Sequence, residues 1–121
     1  MTKKQNSKHY DLEDRTFEFA KCVRAFVKRL PKTPANIEDA RQLINASGSV
    51  GANYIEANEA LSKKDFLMRI KICRKEAKES RYWLRLVDTN KDNELEKERL
   101  SLENEARELT HIFGSIITKS K

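Results

Sequence analysis

The chain has 121 residues, of which 38% are hydrophobic and 36% are charged. This length and composition predict one domain with a single hydrophobic core. Three glycines and two prolines are too few for the tight turns of a β-sandwich or barrel, which leaves long helices as the expected structure. The net charge of +6 favours anionic partners, and no stretch is apolar enough to span a membrane.

The first ten residues, MTKKQNSKHY, are polar and basic and lack the apolar segment of a signal peptide. We therefore predict a flexible basic tail over residues 1–10, a helical domain over residues 11–121 and a cytoplasmic location. Cys22 and Cys73 each lie in a helical pattern without a CxxC motif, which favours reduced, buried thiols. A disulfide between the two cysteines stays open as an alternative.

Two amphipathic helices are predicted in the first half of the chain. Asp11 or Asp14 caps the first helix, which ends at Leu30 because Pro31 cannot continue it. The second runs from about Pro34 to Glu59, and the preceding threonine is its predicted cap. Its predicted inward face alternates steps of three and four through Ile37, Ala40, Ile44, Ser47, Gly51, Tyr54 and Asn58.

Two more helices follow after short polar connections. Ser62 caps the third helix, which continues to about Asp88, and the loop TNKDN precedes a fourth helix that starts near Asp92 or Asn93. Short connections between amphipathic helices predict an all-α fold, an antiparallel up-down-up-down four-helix bundle.

The stretch ASGSVGANYIEA in the second helix is unusually rich in small residues. Neither the spacing of a P-loop nor that of a dinucleotide-binding fingerprint fits it, and no strand precedes it. Gly48 and Gly51 instead continue the helical pattern, so we interpret them as a narrow segment that lets another helix approach closely. A break of the helix between these glycines is the alternative. Asn53 and Glu56 are polar residues expected to fix helix register or to bond across an interface.

The third helix is apolar on two sides, which is typical of a helix that is deeply buried or touches another subunit. Met68, Ile72, Tyr82 and Leu86 lie along a second line beside the main seam, and Trp83 flanks the seam. We predict a homo-oligomer, with a wide seam and ordinary exposed hydrophobic residues as the alternative. The candidates for helix packing or an oligomer interface are Ser47, Gly48, Gly51, Asn53, Glu56, Met68, Ile72, Tyr82, Trp83 and Leu86.

Positive charge is concentrated in the third helix. Between Ser62 and Leu86 there are nine Lys or Arg residues against three acidic residues. Such a surface can contact several phosphates in succession, and we predict that it binds RNA or DNA. The alternative is a solvated face that the acidic fourth helix neutralises. The predicted nucleic-acid contacts, called the basic ridge below, are Lys64, Lys71, Arg74, Lys75, Lys78, Arg81 and Arg85.

Catalytic and metal-binding motifs are not found. His9 and His111 have no partner at ligand spacing, and the serines and cysteines lack the context of a nucleophile. We therefore predict no catalytic residues, no metal site, no cofactor and no enzyme activity.

Several motifs together resemble a known family. YDLEDRTFEFA, RLPKTPAN, SGSVGANYIEA, LSKKDF and KEAKESRYWL are similar to the four-helix-bundle family of the intervening sequences of bacterial 23S ribosomal RNA. The resemblance covers about residues 10–88 and is most specific in Ser47, Ser49, Gly51, Asn53, Glu56 and Ala57.

The resemblance implies a homopentamer with a central channel and an association with RNA. A related family, the accessory proteins of diversity-generating retroelements, shares the pentameric form and is thought to bring nucleic acid to a reverse transcriptase. That family's own motifs have no match here, so an adaptor that binds a reverse transcriptase is the alternative function.

Overall fold

A computed structural model describes residues 11–120, and the predicted tail at residues 1–10 lies outside them. Each helix packs on the helix before and after it, and the ring closes between the first and the last. With the short connections 30–33, 59–62 and 87–92, this confirms an antiparallel four-helix bundle. The helices are α1 Leu12–Arg29, α2 Pro34–Asn58, α3 Lys63–Leu86 and α4 Asn93–Lys119.

Each helix begins at a capping side chain. Asp11, Thr33, Ser62 and Asp92 each accept a hydrogen bond from the backbone N–H three residues later. These bonds satisfy donors that have no partner within the helix, so the short polar side chains set where each helix starts. At the other end of α1, Leu30 adopts an extended conformation just before the proline.

The core is a single apolar cluster to which all four helices contribute. Its members are Phe19, Val23, Phe26, Leu30, Leu43, Val50, Ala57, Ile70, Cys73, Ala77, Leu84, Val87, Leu95, Leu102, Ala106, Leu109, Phe113 and Ile117. The burial of these side chains supplies the main driving force for folding.

The predicted inward face of α2 is wrong in part. Ile37 is 55% exposed, whereas Leu43 and Val50, which lie beside the predicted line, are completely buried. The reason is that α2 packs more extensively on α3 than on α1. The buried face of α2 is therefore rotated towards α3.

The glycine-containing segment is continuous helix, so the alternative break does not occur. A Cβ atom at Gly51 would lie 2.9 Å from Oγ1 and 3.3 Å from Cβ of Thr16, a buried residue of α1. At Gly48 the nearest atom, on the Arg24 side chain, would be 3.4 Å away, an ordinary contact. Gly51 is thus the point where α1 lies against α2 without room for a side chain.

A buried asparagine joins two connections at one end of the bundle. Asn36 Nδ2 donates to the carbonyl oxygens of Pro31, at 3.0 Å, and Asp88, at 2.9 Å. Its Oδ1 accepts from the backbone N–H of Asp88 at 2.9 Å. An apolar replacement of Asn36 would leave the Pro31 carbonyl and the Asp88 carbonyl and N–H without these partners. Asn36 therefore fixes the α1–α2 turn against the end of α3.

The two cysteines differ in their surroundings, and both are free. Cys73 is buried as predicted, and burial raises the pKa of its thiol to about 12. The prediction that Cys22 is buried is wrong, because Cys22 precedes Val23 and lies off the buried line of α1. No disulfide joins the two.

We predict opposite effects from alanine at the two glycines of α2. Gly51→Ala should lower the free energy of unfolding by about 1–3 kcal/mol, because the methyl group would overlap Thr16. Gly48→Ala should raise it by about 0.5–1 kcal/mol, because alanine restricts the unfolded chain at a site with room for Cβ. Urea unfolding at one protein concentration measures both. Equal or greater stability of Gly51→Ala than of Gly48→Ala would contradict the close approach.

Candidate nucleic-acid interface

The basic ridge lies on the outer surface of α3. All its members are exposed except Arg81, which is partly buried. Lys64, Lys71, Lys78 and Arg85 recur every seven residues, so they follow one line along a helix packed in a bundle. At 1.5 Å per residue that line is roughly 30 Å long. An open depression of about 300 Å³ in its middle is lined by Lys71, Arg74, Lys75, Lys78 and Glu79.

One end of the basic ridge is partly neutralised by α4. Arg81 Nε lies 3.3 Å from Oε2 of Glu103, and Arg85 Nε lies 3.9 Å from the same oxygen. Lys75 Nζ lies 3.9 Å from Oε2 of Glu79 on its own helix. Part of the positive charge of the basic ridge is therefore paired with nearby carboxylates.

Apart from Lys75, the part of the ridge from Lys64 to Lys78 keeps its charge. Among the residues that the structure describes, Lys64, Lys71, Arg74 and Lys78 have no acidic partner within ion-pair distance. The Arg74 side chain instead passes beside Gly114 of α4, where a Cβ would lie 3.7 Å from its Nε atom. The acidic fourth helix therefore neutralises the ridge only at Arg81 and Arg85.

Two other acidic residues of α4, Glu105 and Glu108, pair with α1. Arg15 of α1 donates from Nε and Nη2 to the two carboxylate oxygens of Glu105, at 2.7 and 2.9 Å. Nη2 also donates to Glu108 at 2.7 Å, and these hydrogen bonds raise the pKa of Arg15. Sequence reasoning missed this cluster, because the arginine and its partners are far apart in the chain and lie on different helices.

The predicted second apolar line of α3 is interrupted. Met68, Tyr82 and Leu86 are each about half exposed, and Ile72 is partly buried. The paired Lys75 and Glu79 stand between the two ends of this line. Two separate apolar patches result, one at Met68 and Ile72 and one at Tyr82 and Leu86.

Trp83 differs from these residues because it packs against the core of its own bundle. Its ring meets that of Tyr82 edge to face, with centroids 5.0 Å apart and an interplanar angle of 79°. The Tyr82 ring thus contacts a tryptophan whose position is restrained by packing against the core.

Most of the candidate residues on α2 have partners within the bundle. Ser47 is buried, with its hydroxyl 3.3 Å from the Ile44 carbonyl oxygen. Asn53 accepts from Nη1 of Arg69 at 2.9 Å and donates to the Ser49 carbonyl oxygen at 3.0 Å. Gly51 lies against α1, as described above, whereas Gly48 is partly buried and Glu56 is exposed.

Comparison with known proteins decides the family. The family model described as 23S rRNA-intervening sequence protein matches residues 8–115. The chain belongs to this family. A similar solved structure is a protein of unknown function from the S23 ribosomal protein family of Bacteroides thetaiotaomicron, with 30% identity and a TM-score of 0.75. That match covers 87% of this chain and 96% of the other. No curated protein matches the chain.

The described residues contain no group of three or more His, Cys, Asp or Glu side chains that could hold a metal ion. None of the four helices between residues 11 and 120 is long and apolar enough to cross a bilayer.

Glu76 is the one carboxylate of α3 that the fold partly removes from water. Its side chain retains 17% of its exposure, and Lys75 Nζ lies 3.7 Å from its Oε2 atom. Burial raises the pKa of the Glu76 carboxyl above its usual value, Glu79 adds to the rise, and Lys75 opposes it. The ionised form of Glu76 is therefore less favourable in the folded protein than in the unfolded chain.

This pKa direction predicts a pH-dependent effect of Glu76→Gln. An acid with a raised folded pKa contributes its stability below the unfolded pKa and loses it as pH rises through the folded pKa. Glu76→Gln should therefore be more stable than wild type at neutral pH, with the difference shrinking as the pH falls to about 4. Urea midpoints across that pH range measure this.

The matched control is Glu56→Gln, which changes an exposed carboxylate of α2 in the same way. A difference between wild type and Glu76→Gln that does not change with pH would show that burial of the charge is not its cause.

Proposed function

We propose that this protein is a non-enzymatic homo-oligomer that binds RNA or other nucleic acid through the basic ridge of α3. The observation that carries the proposal is the exposed group of Lys64, Lys71, Arg74 and Lys78, which has no acidic partner among the described residues. Unpaired cations on an exposed face raise the local concentration of anions, and a polymer with regularly spaced phosphates can contact several of them at once.

The partner class is supported by the names of the matching proteins. The family model refers to 23S rRNA, and the Bacteroides thetaiotaomicron protein is assigned to a ribosomal protein family. Both names refer to RNA or to the ribosome. RNA is therefore the first nucleic acid to test.

The exposed apolar side chains support self-association. Met68 is 47% exposed, and the partly buried Ile72 follows it by one helical turn on α3. Covering these side chains with a second copy would remove apolar surface from water. We propose a homopentamer, the assembly that the family resemblance implies. An adaptor that uses the same patch to bind a protein such as a reverse transcriptase is the alternative.

The proposal predicts that RNA affinity depends on the unpaired centre of the basic ridge. Replacing Lys71, Arg74 and Lys78 together by Glu should weaken RNA binding at least about tenfold. The slope of log affinity against log salt concentration should fall by about 2, because roughly three phosphate contacts are lost. Electrophoretic mobility shifts at increasing salt measure both quantities.

The control reverses three exposed lysines on other helices, Lys28, Lys97 and Lys119, so that the net charge changes equally. This variant should keep most of the affinity and the salt slope. Equal loss in the two triple variants would mean that overall charge, and not the ridge, attracts RNA. Absence of salt-sensitive binding by the wild type would refute the proposed function.

Self-association predicts a change of mass when the first apolar patch becomes charged. Met68→Glu combined with Ile72→Glu should reduce the mass measured by sedimentation or light scattering, because two carboxylates would be buried in the interface. The measurement is made with and without nuclease, so that bound RNA does not contribute to the mass.

The matched control is Leu61→Glu in the α2–α3 connection, where the side chain is 97% exposed. A monomeric wild type, or the same mass for wild type and the double variant, would exclude this patch as the self-interface.

A further inference from the structure

We infer that Tyr82 is a stacking platform for an unpaired base, so that the basic ridge selects single-stranded nucleic acid over duplex. The inference rests on the proposed function, since it specifies the ligand of the same site. Tyr82 is 55% exposed, although it is an aromatic side chain that could bury a large apolar area. An exposed ring next to a row of cations is the arrangement found in proteins that bind single strands.

The position of Tyr82 places it at the edge of the basic ridge. It lies four residues after Lys78 and three residues before Arg85, and residues at these spacings are neighbours on a helix surface. Lys75 lies seven residues before Tyr82, which is two helical turns away on the same side of α3. Lys78 is unpaired among the described residues, and Arg85 is 62% exposed although its Nε atom lies 3.9 Å from Glu103. A strand whose phosphates contact these two cations would therefore have its bases within reach of the tyrosine ring.

The ring is also held in a defined orientation. Trp83 packs against the core and meets Tyr82 edge to face with the centroids 5.0 Å apart. A ring that is already restrained loses less conformational entropy when a base stacks on it than a freely rotating ring does. The contact between Tyr82 and Trp83 thus favours stacking of a base on Tyr82 without a change in the fold.

Charge argues against a second copy as the occupant of this patch. Packing Tyr82 and Leu86 against another copy would remove the neighbouring exposed cations Lys78 and Arg85 from water, at a cost in their hydration. A nucleic acid supplies anions for those cations and an aromatic base for the ring. Bases in a duplex are stacked inside the helix, so only an unpaired base can reach Tyr82.

The test compares single-stranded oligouridylate with duplex RNA of the same length, using wild type, Tyr82→Ala and Tyr82→Phe. Tyr82→Ala should weaken binding of the single strand by about 5- to 150-fold and leave duplex binding within about twofold. Tyr82→Phe keeps the ring and should bind both RNAs as wild type does. The fluorescence of Trp83, the single tryptophan of the chain, should change on binding of the single strand.

The outcomes separate this inference from the proposed function. If the wild type binds neither RNA, the proposed function fails and Tyr82 has no role in it. If the wild type binds RNA but Tyr82→Ala binds the single strand equally well, the stacking role alone is overturned. A changed subunit number in Tyr82→Ala with unchanged RNA affinity would assign Tyr82 to the self-interface and overturn the inference.

Discussion

The close contact of α1 with α2 at Gly51 determines how the bundle closes. Thr16 occupies the space that a Cβ at Gly51 would need, so α1 lies directly against α2 at this point. At the far end, Asn36 joins the α1–α2 turn to the end of α3 through hydrogen bonds to Pro31 and Asp88. These two contacts hold α1 in place against α2 and α3. α1 also packs on α4, and this interface is the least extensive of the four helix–helix interfaces. The bidentate pair of Arg15 with Glu105 bridges that interface.

The packing of α1 on α4 also determines which partners the acidic residues of α4 have. Glu105 and Glu108 are directed to α1 by Arg15, so they do not reach the basic ridge. Glu103 is the acidic residue of α4 that pairs with α3, and it is also shared with Arg99 at 3.5 Å. A positively charged helix and an acidic helix are therefore neighbours without neutralising each other along their length. The exposed charge at Lys71, Arg74 and Lys78 is a consequence of this division.

Features that depend on neighbouring residues in the chain could be predicted from the sequence, and features set by contacts between helices could not. The capping residues and the stop at Pro31 are local, and all four helices begin or end where those residues place them. The rotation of α2 that exposes Ile37 depends on the relative extent of its interfaces with α3 and α1. The buried line of Asn36, Ala40, Leu43, Ser47 and Val50 also steps by four and three, so spacing alone does not distinguish it from the predicted line. Likewise, the seven-residue spacing of the basic ridge is visible in one helix, whereas its neutralisation by Glu103 requires the position of α4.

The outer face of α3 has two separate surfaces, so the proposed self-association and nucleic-acid binding do not have to use the same residues. Met68 and Ile72 lie near the start of the helix, and Tyr82 and Leu86 lie near its end. The pair of Lys75 with Glu79 stands between them, and burying it in an apolar interface would cost the hydration of both charges. A self-interface that begins at Met68 is therefore expected to stop before this pair. Arg74 passes beside Gly114 of α4, and Lys71 and Lys78 lie within about one helical turn of it, so a strand bound to these cations can follow the ridge to Tyr82 without covering Met68.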